Sequence, residues 1–213
     1  MAGLDPAIHV FSIASRRLCA RLRGIAWQND VAKYPYKRGD PEQTYKEGVS
    51  KAQEALIGRT IVAWSRLERA IEEVIWAFLG LTIEEGRIIT ARLDVNFKLN
   101  MAQGLAERHL SAEEYSDFCD LLNRVRDIHE IRNVNVHGHW ITVLPEKLPG
   151  AMSLKEKLPN DTARNEVITT ILPEETMLGI IRNIMLGTNL MIDLRRKQRA
   201  LHDKSAPPPE KGQ

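Results

Sequence analysis

From Ala52 to Leu79 the apolar residues Ile57, Ile61, Trp64, Leu67, Ile71, Val74, Ile75 and Phe78 recur at three- and four-residue intervals. That period predicts a long amphipathic helix, and Gly80 supplies its stop. "TIEE" opens a second helix, with Thr82 as cap and Glu85 as its capping-box partner, and "SAEE" repeats the device at Ser111 and Glu114 for a fourth. Between them "VNFKLNMAQGLAERHL" predicts a shorter third helix, weakened by Gly104. After Trp140 the pattern changes. "WITVL" and "EVITTIL" are short and β-rich, and a Pro-, Lys- and Asn-rich stretch separates them, which predicts a small hairpin with a mobile loop. Pro173, Glu174 and Glu175 start a last long helix ending in "DLRRKQRALH", acidic first and basic last, as the helix dipole favours. The expected fold class is all-α: a helical bundle with a small β-hairpin before the last helix. No internal repeat is present.

Proline, glycine and charge crowd residues 34–50, "YPYKRGDPEQTYKEGVS", and mark a linker. The expected organisation is an amino-terminal arm and linker at 1–50, a helical domain at 51–203 and a disordered tail at 204–213. A formal charge of +2 argues for no partner by itself, so the placement of charge matters more. Before residue 39, Arg16, Arg17, Arg21, Arg23, Lys33, Lys37 and Arg38 face only Asp5 and Asp30. This is a basic arm on a nearly neutral body. Its stretch "SRRLCARLRGIAW" has the composition of a transit peptide or a membrane-surface helix, but a short solvated helix is the preferred reading. Cys19 and Cys119 suggest neither a disulfide framework nor a thiolate metal site, which fits a reducing compartment. No apolar run approaches the length of a bilayer span, and Arg16 and Arg17 interrupt the first apolar stretch in the wrong order for a secretory signal. The chain is expected to be cytoplasmic, with no membrane partner.

Residues set at about 100° intervals around the fourth helix put Phe118, Leu121, Leu122, Val125 and Ile128 on one stripe, with Arg132 in its middle. A guanidinium on an inward face must be paired, reach a cleft or meet an interface, because an isolated buried charge is costly. On the first helix Glu68 shares a face with Ile61, Trp64, Ile71 and Ile75. Glu68 and Arg132 are therefore expected to pair, and a purely structural ion pair locking two helices is the bland form of that expectation. His137 lies about 140° round from Arg132, and Gly138 ends the helix directly after it. A terminal histidine can face a cleft or a second subunit, or simply meet solvent and the helix dipole.

"AWSRLERAIEEVIWAFLGL" and "RNVNVHGHW" resemble the HEPN superfamily (higher eukaryote and prokaryote nucleotide-binding domains), and in particular uncharacterised bacterial members. Many members carry an arginine, a polar residue and then a histidine four to six residues after the arginine. Here these are Arg132, Asn133 and His137, and the likeness extends over about residues 52–138 and the long closing helix. It does not cover the arm or the hairpin. Glu68 and Trp140 would belong to the local pattern. The resemblance implies a compact helical bundle and a metal-independent endoribonuclease, commonly a toxin or phage-defence effector. It also implies a homodimer with both motif copies in one groove, RNA as partner, and an antitoxin or regulator where the member is a toxin.

The chemistry suits the residues. A histidine titrates near neutrality and can exchange the proton of a 2′-hydroxyl, while an arginine fork meets the charge gathering on the phosphorus centre. Asn133 could orient the phosphate or the imidazole. Two readings stay open: the ribonuclease with Arg132, His137 and Asn133 catalytic and Glu68 supporting, and a non-catalytic interaction or nucleotide-binding module on the same scaffold. No cofactor is expected. His129, His137 and His139 lack a cysteine or carboxylate to complete a metal site, and His129, on the apolar stripe, reads as a hydrogen-bonded core histidine.

Overall fold

The computed structural model describes residues 33–36, 45–143, 148–155 and 166–205 of the chain. Its helices are α1 (Lys51–Leu79), α2 (Ile83–Thr90), α3 (Val95–His109), α4 (Ala112–His137) and α5 (Glu174–Ser205). Its strands are β1 (Lys33–Tyr36), β2 (Tyr45–Glu47), β3 (His139–Val143), β4 (Leu148–Lys155) and β5 (Glu166–Ile171). The strands form one antiparallel sheet in the order β1-β5-β4-β3-β2. The mostly helical fold with an antiparallel hairpin before the last helix is the expected one.

The hairpin belongs to a larger sheet than the sequence pattern suggests. "WITVL" and "EVITTIL" are not partners, because β4 lies between them, pairing Ile141 with Gly150 on one side and Gly150 with Ile171 on the other. Two pieces of the expected arm, 33–36 and 45–47, are edge strands of the same sheet. The expectations for Arg16, Arg17, Arg21, Arg23, Lys37 and Arg38, for the loop 156–165 and for residues 206–213 lie outside the described residues.

The chain divides into two compact units, and α1, α4 and α5 each contribute to both. The first takes in Arg66–Arg126 and the chain from Leu186 on. Here α1 stops as its glycine predicts. Gly80 takes a φ of 66°, its N–H donates to Ala77 O (3.3 Å), and the Leu81 N–H reaches back to Trp76 O (2.9 Å). Thr82 and Glu85 close the expected capping box on α2, Asp94 accepts from the Phe97 N–H at the start of α3 (2.9 Å), and Ser111 and Glu114 close the second box on α4. The core holds Leu67, Ile71, Val74, Trp76, Phe78, Leu99, Phe118, Leu122 and Met191, with Phe78 edge-on to Phe118. Trp76, fully buried, donates its indole N–H to Thr90 Oγ1 (3.2 Å), and that hydroxyl donates to Gly86 O (2.9 Å). A methyl group at Gly86 would run into the Trp76 indole, so only glycine lets α2 lie this close.

The second unit takes in Trp27–Ser65 and Asp127–Met185, and its described part contains the whole sheet. A third capping box, with no counterpart in the sequence expectations, opens α1: Ser50 N–H donates to Gln53 Oε1 (2.8 Å) and Gln53 N–H to Ser50 Oγ (3.3 Å). Trp64, Ile128, Ile141, Ala151, Leu172, Met177 and Ile180 are buried. Leu172 N–H donates to Pro149 O (2.9 Å), and Met177 N–H to Pro173 O (3.0 Å), so Pro173 caps α5.

Two glycine substitutions should separate packing from backbone freedom. Gly86→Ala should destabilise the protein by about 1–3 kcal/mol, because the methyl forces the buried Trp76 to move. Gly104→Ala, in a helix interior with open space around it, should stabilise by about 0.5–1 kcal/mol. Urea denaturation of the three proteins measures both, and equal shifts for the two variants would contradict this account of α2.

Candidate active site

Residue His137 is the last of α4, Gly138 N–H closes the final turn onto Val134 O (2.8 Å), and β3 begins directly at His139. Both histidines are exposed. The strand pairing holds this corner, since Gly48 N–H donates to Trp140 O (3.1 Å) and Thr142 Oγ1 donates to Gly48 O (3.0 Å). The Trp140 indole N–H turns back on the helix and donates to Asn135 O (3.0 Å).

Arg132 is half-buried and its Nη1 donates to Asn133 Oδ1 at 3.0 Å. Asn133 passes the connection on through Nδ2, 3.3 Å from His129 Nε2. In that arrangement His129 accepts at Nε2 and carries its proton at Nδ1. The His129 ring stacks on Trp64, with centroids 5.3 Å apart and planes 20° from parallel. Trp64 is 1% exposed, so the row Trp64, His129, Asn133, Arg132 runs from the core toward the motif arginine. His129 is the hydrogen-bonded histidine that its place on the apolar stripe suggested. A further polar residue lies in the same turn: Asn135 is 2% exposed, and neither its Oδ1 nor its Nδ2 has a hydrogen-bond partner. Arg132 Nε is likewise buried and unpartnered.

The expected pair of Glu68 and Arg132 is corrected by the partners each residue has. Glu68 Oε1 accepts from Lys98 Nζ at 2.7 Å, and Glu72 Oε1 lies 2.7 Å from the same ammonium. Lys98 has only 6% of its side chain exposed. A lysine on a four-carbon stem reaches two carboxylates one turn apart on α1, and this buried cation claims them both. Glu72 also meets Arg69 (3.4 Å), Arg69 meets Glu73 (3.2 Å) and lies over the Trp76 ring at 4.3 Å, and Glu73 meets Arg195. Glu68 therefore serves this charge network of α1, α3 and α5. Burial pulls the Lys98 ammonium toward lower pKa, but the hydrogen bonds and charges of Glu68 and Glu72 outweigh it and hold the group above its ordinary value.

The helical period that singled out Glu68 would also have found Lys98, which stands one turn before buried Ala102. Asn135 gives no such signal, because asparagine near a helix end is common in solvent. Among the described residues no group of three or more His, Cys, Asp and Glu side chains is placed to hold a metal ion. The segment Glu174–Asp203 of α5 is long and apolar enough to cross a membrane by length and composition, against the expectation that no segment is. Half of its apolar 18-residue stretch is buried within the protein, as in a core helix. No family model, curated protein or solved structure matches the chain.

Lys98→Met should cost roughly 3 kcal/mol, because it leaves Glu68 and Glu72 facing each other without their cation. Combining it with Glu68→Gln should cost less than the sum of the two singles. The raised pKa fixes the pH dependence. The clasp contributes fully below the unfolded lysine value of about 10.4 and fades as pH rises through the higher folded value. Stability of wild type minus Lys98→Met should thus be flat from pH 7 to 10 and narrow above it. Additive losses in the cycle, or a difference that narrows on acidification to pH 7, would contradict the pairing.

Proposed function

We propose that this protein is a metal-independent endoribonuclease of the HEPN type that works as a homodimer on RNA, in the manner of a toxin or phage-defence effector. The observation that carries the reading is the end of α4: a half-buried arginine oriented by the next residue, and an exposed histidine ending the same helix. Arg132 is held at Nη1 by Asn133 and keeps Nε and Nη2 as a donor edge suited to a phosphate. His137 takes the proton of the attacking 2′-hydroxyl, or returns one to the leaving oxygen. Asn133 orients Arg132, and His129 and Trp64 fix Asn133. Glu68 keeps its supporting role only indirectly, by stabilising the helices.

The motif histidine lies five positions after the arginine, about 140° around the helix, so one copy turns them away from each other. Two protomers meeting at this corner would offer the Arg132 of one to the His137 of the other, which is the reason for a dimer. The second reading, a non-catalytic binding module, is favoured by one observation. Asn133 is engaged on both sides, so the polar row would serve as a structural brace even without catalysis.

Purified protein should cleave RNA in the presence of EDTA and leave 2′,3′-cyclic phosphate ends. His137→Ala and Arg132→Ala should each abolish cleavage while circular dichroism stays that of wild type. A 2′-deoxy substitution at the cut site should block the reaction. Cleavage that survives His137→Ala, or DNA cut at a comparable rate, would show that this motif is not the site. Sedimentation equilibrium should find a dimer at micromolar concentration, and a monomer there would leave each His137 without its arginine.

A further inference from the structure

We infer that Asn135 is a nucleotide-positioning residue of this site: its carboxamide and the Nε edge of Arg132 together hold one ribonucleotide unit, ribose hydroxyl on Asn135 and phosphate on Arg132. The inference rests on the ribonuclease reading and adds a substrate contact to it. Three buried polar atoms within one helical turn, Arg132 Nε, Asn135 Oδ1 and Asn135 Nδ2, have no hydrogen-bond partner. Buried polar groups are nearly always satisfied, and each exception costs stability, so three in one turn call for a reason. Among the described residues the one other such atom, Gln198 Nε2, stands alone on α5, while the buried Trp76, Thr90 and Lys98 each have partners.

Spacing joins the three atoms. Positions 132 and 135 are neighbours on one helix face, and Asn133 occupies only Nη1 of the guanidinium. What remains is specific in its chemistry. The Nε edge of an arginine offers two parallel N–H donors, the complement of two phosphate oxygens. A carboxamide offers a donor and an acceptor side by side, and a ribose 2′-hydroxyl, which is itself donor and acceptor, can satisfy both. A bare phosphate would leave Asn135 Oδ1 without a partner. A deoxyribose would leave both amide atoms unmet.

Asn135 and His137 are about 200° apart around α4, nearly opposite. Within one protomer the hydroxyl held by Asn135 is therefore not the one that its own His137 deprotonates, and Asn135 acts by placing the nucleotide held on Arg132. Entry requires the side chains around this turn to part. Trp140 is tethered there through its indole N–H on Asn135 O.

The test uses full-length protein carrying His137→Ala, so that bound RNA stays intact. Fluorescence anisotropy compares a ribo-oligonucleotide with the same sequence in 2′-deoxy form. The parent should prefer the ribo form about tenfold. Asn135→Leu, close in shape and without polar atoms, should erase that preference and leave the thermal midpoint equal or higher, because it removes two unsatisfied groups. Asn135→Ala serves as the second variant if the leucine fails to fold. Preference retained in the folded variant would overturn the inference and assign Asn135 an internal water or a packing role alone. Equal binding of both oligonucleotides by the parent, with the wild type still cleaving RNA, would overturn it while sparing the ribonuclease. Neither binding nor cleavage by any form would overturn both.

Discussion

A buried ammonium between two carboxylates fixes how the helices of the first unit are placed. Lys98 projects from α3 onto the same apolar side as Leu99 and Ala102, where it is tolerable only because Glu68 and Glu72 lie one turn apart on α1 and both reach it. Sliding α3 along α1 by a turn would strand one carboxylate, and rotating it would strand the lysine. The hydrophobic stripes of the two helices permit many registers, and this pair of contacts selects among them. Glu73 and Arg195 extend the same constraint to α5, and Glu114 joins α4 to α5 through Lys197 while its other oxygen closes the capping box with Ser111.

The end of α4 handles polar burial differently. In the charge network each carboxylate and each cation meets an opposite group. At the corner the row of Trp64, His129, Asn133 and Arg132 spends its hydrogen bonds on orienting one guanidinium, and the remaining Nε edge is left without a protein partner. A brace alone would be more stable with an apolar residue at 135. Three unsatisfied atoms clustered beside the motif, against one, Gln198 Nε2, among the described residues of the first unit, are the physical basis for reading the corner as a site.

The helices were legible from their apolar period, from their ends, or from both. Gly80, the boxes at Thr82 and Ser111, and the acidic start of α5 are local signals that no distant contact has to supply. The sheet was less legible because a strand needs its neighbours to declare it. β4 runs through Pro149 and Gly150, residues that read locally as a turn, and is held as a strand by Ile141 on one side and Ile171 on the other. Residues 33–36 and 45–47 read as linker for the same reason: short edge strands take their identity from β5 and β3. The Glu68 partner failed on a different ground. Helical periodicity shows which residues face inward, but choosing between Arg132 and Lys98 requires knowing which helix lies opposite.

The placement of Gly138 decides what the motif can do. Had α4 continued, His137 would have been one more position on a solvent flank, and the next turn would have separated it further from any groove. Stopping the helix at His137 and passing at once into β3 makes the imidazole part of a corner whose backbone is clamped by Gly48 and whose inner side is tied by Trp140. A terminal imidazole on a fixed corner can be approached by a second molecule from outside the helix, whereas one in mid-helix is flanked by its neighbours on the same face. On the proposed reading the strand following the motif therefore matters as much as the helix carrying it. It holds His137 in place for an arginine that the same chain cannot bring to it.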